Sequence, residues 1–328
     1  MTLATETQTR SRGLAARFFN HRDLSLMQRR ARSAWLLVAP ALILLFSVAA
    51  WPLLRTFYYS LTDASLNAPG EAAFIGLSNY LDMGGDFAFG VLADPLWWRA
   101  VTNTLLFSAT TVSMELVLGM LVALLLHQKF AGRTILRTAM LIPWAIPTIV
   151  SAKMWGWMFH DQYGVVNDLL AKLGFIEEPL AWVAVPELSM WAVIIAEVWK
   201  TTPFMALMLL AALQMIPEDL YESARLEGAS AWQRFWRITL PLIKPAMIVA
   251  LIFRTLDALR VFDLIYVLTS NSEATISISG YSRQLLVEYQ DMGGGSAASV
   301  LVFMLVAGVA VSYLFIGRVK LNETGGHH

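Results

Sequence analysis

The chain contains no cysteine and few charged residues. The absence of cysteine from its 328 residues excludes disulfide bonds, thiol chemistry and cysteine-ligated metal sites. Only 15% of the residues are charged, against about 25% in a typical soluble domain. The sequence also has no glycine-rich phosphate loop of the Walker type. We therefore do not expect this chain to hydrolyse a nucleoside triphosphate.

Apolar residues dominate instead. They make up 57% of the chain, which has a mean hydropathy of +0.57 and 12 tryptophans. About 20 consecutive apolar residues cross the hydrocarbon core of a bilayer. Six stretches of that length occur, at 34–60, 101–127, 135–159, 188–214, 243–269 and 296–317. The sequence thus predicts an all-α integral membrane protein with six transmembrane helices.

Prolines interrupt two of these predicted helices. Pro143 and Pro147 fall in the third, and Pro203 falls in the fourth. A proline in a spanning helix is tolerated where neighbouring helices satisfy the freed backbone carbonyls. We therefore expect both helices to be broken and to face protein or a cavity.

Lysine and arginine are concentrated in alternate connecting segments. Sixteen of them lie in segments 1–33, 127–137, 215–245 and 317–328. The other connecting segments hold only three, Arg99, Lys172 and Arg283. Since cytoplasmic loops carry the excess of basic residues, we predict a multi-pass protein of the bacterial plasma membrane with cytoplasmic N- and C-termini.

The two ends of the chain are treated separately from the helices. Residues 1–33 are predicted to form a basic cytoplasmic segment at the membrane interface. Arg29-Arg30 before an apolar run also suits a twin-arginine export signal, but the run is too long and lacks a small-residue cleavage site. The transmembrane domain is placed at 34–320. Residues 321–328 form a tail whose final Gly-Gly-His-His is typical of a tag remnant rather than of a metal site.

The segment between the fourth and fifth predicted helices is charged and amphipathic. Pro217 suits a first helical position, and we place Glu218, Asp219 and Glu222 near the positive end of that helix's dipole, with Glu222 in its first turn. Gly228 lies where a helix end favours a left-handed residue. Ser230 and Gln233 have the spacing of a capping box. The pattern predicts two short helices that meet at a fixed angle, as in a surface that grips another protein.

Four anchors of this segment carry a family resemblance. They are Glu222-Ser-Ala224, Gly228 and Ile238-Thr-Leu240-Pro241. They resemble the EAA loop of bacterial ATP-binding-cassette importer permeases, with Ser223 in place of the middle alanine. The resemblance implies the type I importer permease fold, with a coupling loop at 216–245. It assigns ATPase coupling to Glu222, Ala224, Gly228, Ile238, Leu240 and Pro241.

Ionisable residues also occur inside the predicted helices, where they are costly and mark function or a buried partner. They include Glu115, Lys153, Glu197, Lys200, Arg254, Asp257, Arg260 and Asp263. The last four recur every third residue, so we expect them to form one polar stripe on a continuous fifth helix. This stripe is either a set of ion pairs that seals a helix contact or the wall of a hydrated substrate path.

The stretch Trp199-Lys-Thr-Thr-Pro-Phe204 combines hydroxyl groups with aromatic rings, which suits a sugar. This stretch and residues 259–269 resemble the carbohydrate-uptake branch of the permeases, the maltose and trehalose type. The resemblance implies that Trp199, Thr201, Phe204, Asp257 and Arg260 lie near the substrate path. Alternatives are a permease for another small solute such as glycerol phosphate, an ion-coupled secondary sugar transporter and a membrane glycosyltransferase.

The resemblance also implies partners. They are a second homologous permease subunit, two cytoplasmic ATPase subunits that bind ATP and magnesium, and an extracytoplasmic sugar-binding protein or lipoprotein. The chain itself is expected to be a transport subunit rather than an enzyme. It is expected to have no cofactor or metal site of its own and no nucleic-acid partner.

Overall fold

The computed structural model describes residues 26–68, 70, 72–84 and 87–324. Most of the predicted interfacial segment, residues 1–25, and the Gly-Gly-His-His tail lie outside the described residues. The chain divides into two units, residues 1–55 and 56–328. The boundary falls inside the first helix.

The described residues are mainly helical. The helices are α1 (Leu26–Tyr59), α2 (Pro95–His127), α3 (Arg133–Met140), α4 (Ile142–Ala145), α5 (Thr148–Met158), α6 (Val165–Lys172), α7 (Pro186–Gln214), α8 (Glu218–Leu226), α9 (Ala231–Arg234), α10 (Leu240–Ala258), α11 (Asp263–Thr269), α12 (Ile278–Arg283) and α13 (Met292–Thr324). Two short antiparallel strands, β1 (Asp82–Gly84) and β2 (Phe87–Phe89), and a 3₁₀ turn at Val91–Ala93 precede α2.

Five of these helical stretches are long and apolar enough to cross a membrane, and a bent pair supplies a sixth. The five lie in α1, α2, α7, the stretch Ala231–Ala258, and α13. The pair consists of Arg133–Ala145 and Thr148–Met158, which meet at 92°. This count confirms the predicted all-α membrane architecture with six spans.

The prolines act differently in the two helices that contain them. The third span is broken as predicted, because Ile146 adopts an extended conformation with ψ of 130°, which a residue before proline favours. The fourth span is not broken. Helix α7 runs through Pro203, whose side chain is buried, so the prediction of a break there was wrong.

The fifth span differs from its prediction at both ends. Helix α10 stops at Ala258, and α11 begins only at Asp263, so the predicted stripe does not lie on one continuous helix. At the other end, α9 continues into α10 through a π turn at Phe235–Thr239. The second short helix of the loop is therefore the first turn of the span. The π turn ends two residues before Pro241, which has no N–H to donate to a helical bond.

The most extensive helix–helix contact is that of α2 with α7. A Cβ atom added to Gly119 would lie 2.8 Å from Cγ of Met205, so only glycine fits there without a shift. Ala123 and Ala206 nearby are fully buried. These small residues allow the two helix backbones to approach closely, which brings the polar residues of α2 within reach of those on α7.

We predict that Gly119→Leu destabilises the folded chain by about 1–3 kcal/mol, the usual cost of overpacking a core. The added side chain would collide with Met205 and with the backbone of Ala206. Thermal unfolding of the purified protein in detergent measures the effect. Adding Met205→Ala removes the nearest atom and should recover part of the loss. An unchanged unfolding temperature for Gly119→Leu would show that the helices are not closely packed.

Candidate functional site

A buried arginine is the centre of a polar cluster between three helices. Arg254 on α10 has a side chain that is only 2% exposed. Its Nε donates to Oε2 of Glu115 on α2 at 2.6 Å, and its Nη2 donates to Oε1 of the same carboxylate at 2.8 Å. Its Nη2 also donates to Oε1 of Glu197 on α7 at 3.1 Å. The arginine therefore joins α2, α7 and α10.

Two further side chains complete what we call the Arg254 cluster, which comprises Glu115, Glu197, Thr201, Arg254 and Asp257. The hydroxyl of Thr201 lies 2.6 Å from Oε1 of Glu115. Nη1 of Arg254 donates to Oδ2 of Asp257, whose side chain is 65% exposed. The cluster thus extends from a fully buried carboxylate to an exposed one.

This geometry separates the two interpretations of the polar stripe. Arg254 makes its two-pronged contact across helices, to Glu115, and only Asp257 is a partner on its own helix. Two-pronged arginine–carboxylate pairs are strong and geometrically specific. Arg254 therefore seals a helix contact, and together with Asp257, Arg260 and Asp263 it also lines an adjoining cavity.

The cavity has a volume of about 460 Å³. It is lined by Trp144, Thr148, Glu197, Lys200, Thr201, Phe204, Phe253, Arg254, Asp257, Arg260, Val261, Phe262, Asp263 and Leu264. Four of the five residues predicted for the substrate path are in this wall. The fifth, Trp199, is not a lining residue, and its ring packs edge-on against Trp155 at 5.7 Å.

Some lining residues were not predicted. Thr148 begins the second half of the broken third span, and Phe262 lies in the break between α10 and α11. Both reach the cavity because the chain changes direction beside them. The proline before Thr148 was an available signal, whereas no proline or glycine marks the break at Phe262. Trp144 stacks on Phe204 with ring centroids 6.2 Å apart, so two aromatic rings form one side of the cavity.

The loop at 216–245 has the predicted turn chemistry. Gly228 has φ of +82°, the left-handed conformation expected after a helix end. A Cβ there would meet nothing within 4 Å, so the backbone angle rather than crowding favours glycine. The capping box is also confirmed, since Ser230 Oγ accepts from the Gln233 N–H at 3.3 Å and Gln233 Oε1 accepts from the Ser230 N–H at 2.8 Å.

Side-chain contacts brace this loop against the rest of the chain. The hydroxyl groups of Tyr221 and Thr239 lie 2.9 Å apart and link α8 to the π turn. Lys129, just after α2, pairs with Glu218 at 2.7 Å. The hydrogen bond from Lys129, together with its charge, lowers the pKa of Glu218. Both contacts lie on one face of α8, since Glu218 and Tyr221 are three residues apart.

Glu222 lies farther along the helix than predicted. Helix α8 begins at Glu218, after Pro217 rather than at it, so Glu222 falls in the second turn. The dipole effect fades beyond the first turn, and this residue adds little to helix stability. Its side chain is exposed and makes no hydrogen bond or ion pair with any residue that the structure describes.

The other coupling residues differ in exposure. Ala224, Ile238 and Leu240 are half-buried, whereas Gly228 and Pro241 are exposed. Two large apolar side chains beside them are also exposed, Leu226 by 89% and Trp232 by 69%. Exposed apolar patches of this kind mark protein or membrane contacts. The described loop therefore presents both charge and apolar surface.

Comparisons with known proteins show the family of this chain. A family model described as "Binding-protein-dependent transport system inner membrane component" matches residues 115–320. This range includes the coupling loop and every residue of the Arg254 cluster. The chain belongs to this family. It is therefore a multi-pass membrane transport component and not an enzyme.

Relatives within the family cover nearly the whole chain. The trehalose/maltose transport system permease protein MalF of Thermococcus litoralis is 44% identical, over 92% of this chain and 99% of its own length. The trehalose transport system permease protein SugA of Mycobacterium tuberculosis is 43% identical, over 90% and 91%. A permease of a bacterial alginate ABC transporter superposes with a TM-score of 0.73 at 24% identity, covering 90% of this chain and 99% of that one. This superposition confirms the importer permease fold.

We predict that Arg254→Met destabilises the protein by about 3–5 kcal/mol, because it leaves the carboxylate of Glu115 buried without its counter-charge. Thermal unfolding of the purified protein in detergent tests this. Arg260→Met is a matched control, since that side chain is exposed and donates only to the backbone of Leu256. Equal unfolding temperatures for the two variants would contradict the prediction.

Proposed function

We propose that this chain is a permease subunit of an ATP-driven sugar importer and that a disaccharide of the trehalose kind is its substrate. The observation that carries the proposal is the intramembrane cavity beside the Arg254 cluster. Carboxylates, a hydroxyl and stacked aromatic rings meet there. Its volume of about 460 Å³ falls in the usual range of small-molecule sites, roughly 300–1,000 Å³.

The chemistry of the cavity wall suits a sugar. Asp257 offers carboxylate oxygen to sugar hydroxyl groups, and hydrogen bonds to a charged acceptor are stronger than neutral ones. Trp144 and Phe204 offer ring faces to the C–H face of a pyranose. The two named permeases support this substrate class, since their descriptions specify trehalose and maltose.

A second candidate substrate is a small anionic solute such as glycerol phosphate. Lys200 and Arg260 in the cavity wall would attract a phosphate. The carboxylates of Glu197, Asp257 and Asp263 in the same wall would repel it. An ion-coupled secondary transporter is a weaker candidate, because membership of a binding-protein-dependent family supports coupling to ATP.

The partners follow from the same proposal. The loop around α8 docks on a cytoplasmic ATPase, and two such ATPases bind the ATP and magnesium. A second homologous permease subunit completes the path, and an extracytoplasmic binding protein delivers the sugar. Both termini are cytoplasmic, as the basic residues of the connecting segments support.

The direct test is uptake by the complete transporter. We expect the complex, reconstituted in vesicles with its partner subunits and binding protein, to accumulate radiolabelled trehalose only when ATP is supplied. Collapsing the ion gradients with an ionophore should leave this trehalose accumulation unchanged. Labelled glycerol 3-phosphate serves as the matched rival substrate. Uptake that needs an ion gradient but no ATP would refute the proposal.

We predict that Glu222→Gln lowers the amount of sugar transported per ATP hydrolysed by about fivefold or more, within the usual range of coupling energies. Glutamine keeps the size of the side chain but removes the charge available to the docked ATPase. Because Glu222 has no partner among the described residues of its own chain, the variant should assemble normally.

The control for this ratio is Glu227→Gln, at the end of the same helix and likewise exposed. Only Glu222→Gln should change the ratio. If both variants leave it at the parent value, Glu222 does not transmit closure of the ATPase.

A further inference from the structure

Glu115 contacts the cavity wall without belonging to it. The cavity is lined by residues of α4, α5, α7, α10 and α11 and of the break before α11, and α2 contributes none. Glu115 on α2 is fully buried. Even so, it makes two of the shortest contacts in the Arg254 cluster, at 2.6 and 2.8 Å. Helix α2 therefore acts on the cavity through this carboxylate.

The donors of Arg254 are occupied by carboxylates of the cluster. Nε and Nη2 are engaged by Glu115 and Glu197, and Nη1 is engaged by Asp257. The side chain is only 2% exposed. Its positive charge is therefore used within the cluster and is hardly accessible to a solute.

The carboxylate oxygens of the cluster are only partly used by Arg254. One oxygen of Glu197 and one of Asp257 accept from Arg254. The second oxygen of each carboxylate, Oε2 of Glu197 and Oδ1 of Asp257, makes no hydrogen bond to another described residue. Both residues line the cavity. The cluster thus presents carboxylate oxygens to whatever occupies the cavity.

We propose that Glu115 is a positioning residue for substrate recognition. Glu115 holds the guanidinium of Arg254 in place and thereby orients the carboxylates of Glu197 and Asp257. The remaining oxygens of these two carboxylates then accept hydrogen bonds from substrate hydroxyl groups. The inference rests on the proposed function and adds the means by which the site selects a neutral, hydroxyl-rich solute.

Removal of Glu115 would change the wall in a defined way. The Nε and Nη2 donors of Arg254 would lose their two-pronged acceptor, and the guanidinium would turn toward the carboxylates that remain. Glu197 and Asp257 would then use more of their oxygen atoms within the protein. Fewer acceptors would face the cavity, although none of the wall residues had been altered.

A purely structural role for Glu115 makes a different prediction. If it only balances the charge of Arg254, then any carboxylate at this position should suffice. Glu115→Asp keeps the charge but withdraws the carboxylate by one methylene, so the two-pronged contact cannot form with the same geometry. A charge-balancing residue tolerates this change, whereas a positioning residue does not.

The experiment measures trehalose uptake per assembled complex in vesicles that contain the full transporter. We expect Glu115→Asp and Glu115→Gln each to lower uptake by about tenfold or more, while the amount of assembled complex stays within about twofold. Where the glutamine variant fails to assemble, the aspartate variant decides.

A double-mutant cycle separates positioning from general damage. If Glu115 acts in part through Asp257, then Glu115→Gln should lower uptake by a smaller factor in the Asp257→Asn background than in the parent, since coupled residues are not additive. Thr111→Val is the matched control. That residue is fully buried one turn away on α2, and its hydroxyl donates only to carbonyls of its own helix. Its variant should keep uptake near the parent value, and its effect should multiply with that of Asp257→Asn.

The outcomes are distinguishable. Parent-level uptake by Glu115→Asp, or losses that multiply in the Glu115–Asp257 cycle, would overturn the inference and leave the proposed function standing. A parent complex that hydrolyses ATP but accumulates no trehalose would overturn the proposed function, and the inference with it.

Discussion

An ionised arginine cannot remain in the membrane-spanning part of a protein unless carboxylates or other acceptors surround it. Arg254 meets this requirement with ligands from three helices. Because a two-pronged pair tolerates little displacement, the positions of α2, α7 and α10 at this depth are fixed relative to one another. The close approach of α2 and α7 at Gly119 lies one turn from Glu115 and makes this geometry possible.

The same helices connect the cavity to the loop at 216–245. Helix α7 leads into the loop, and the stretch from Ala231 to Ala258 leads out of it. Both carry members of the Arg254 cluster. The hydrogen bond between Tyr221 and Thr239 and the pair Lys129–Glu218 hold the loop against these helices. The loop and the cavity wall are therefore joined by two helices that share the Arg254 cluster.

Sequence patterns predicted the features that depend on local chemistry. The apolar runs predicted the number of spans, and Gly228, Ser230 and Gln233 predicted the turn between α8 and α9, because helix ends and capping boxes need only neighbouring residues. The break after Ala258 could not be predicted in this way. No proline or glycine lies in that stretch, and its conformation depends on contacts with other helices. The pairing of Glu115 with Arg254 could not be predicted either, because the two residues are 139 positions apart in the sequence.

The π turn at Phe235–Thr239 has a consequence for angular register. One extra residue in a helical turn rotates everything beyond it by about 100° relative to a uniform α-helix. The aromatic face that begins at Trp232 and the polar face that carries Arg254 lie on one continuous helical stretch. The wider turn changes the angle between these two faces about the helix axis. The direction in which Arg254 points is therefore set partly by the five residues of this π turn.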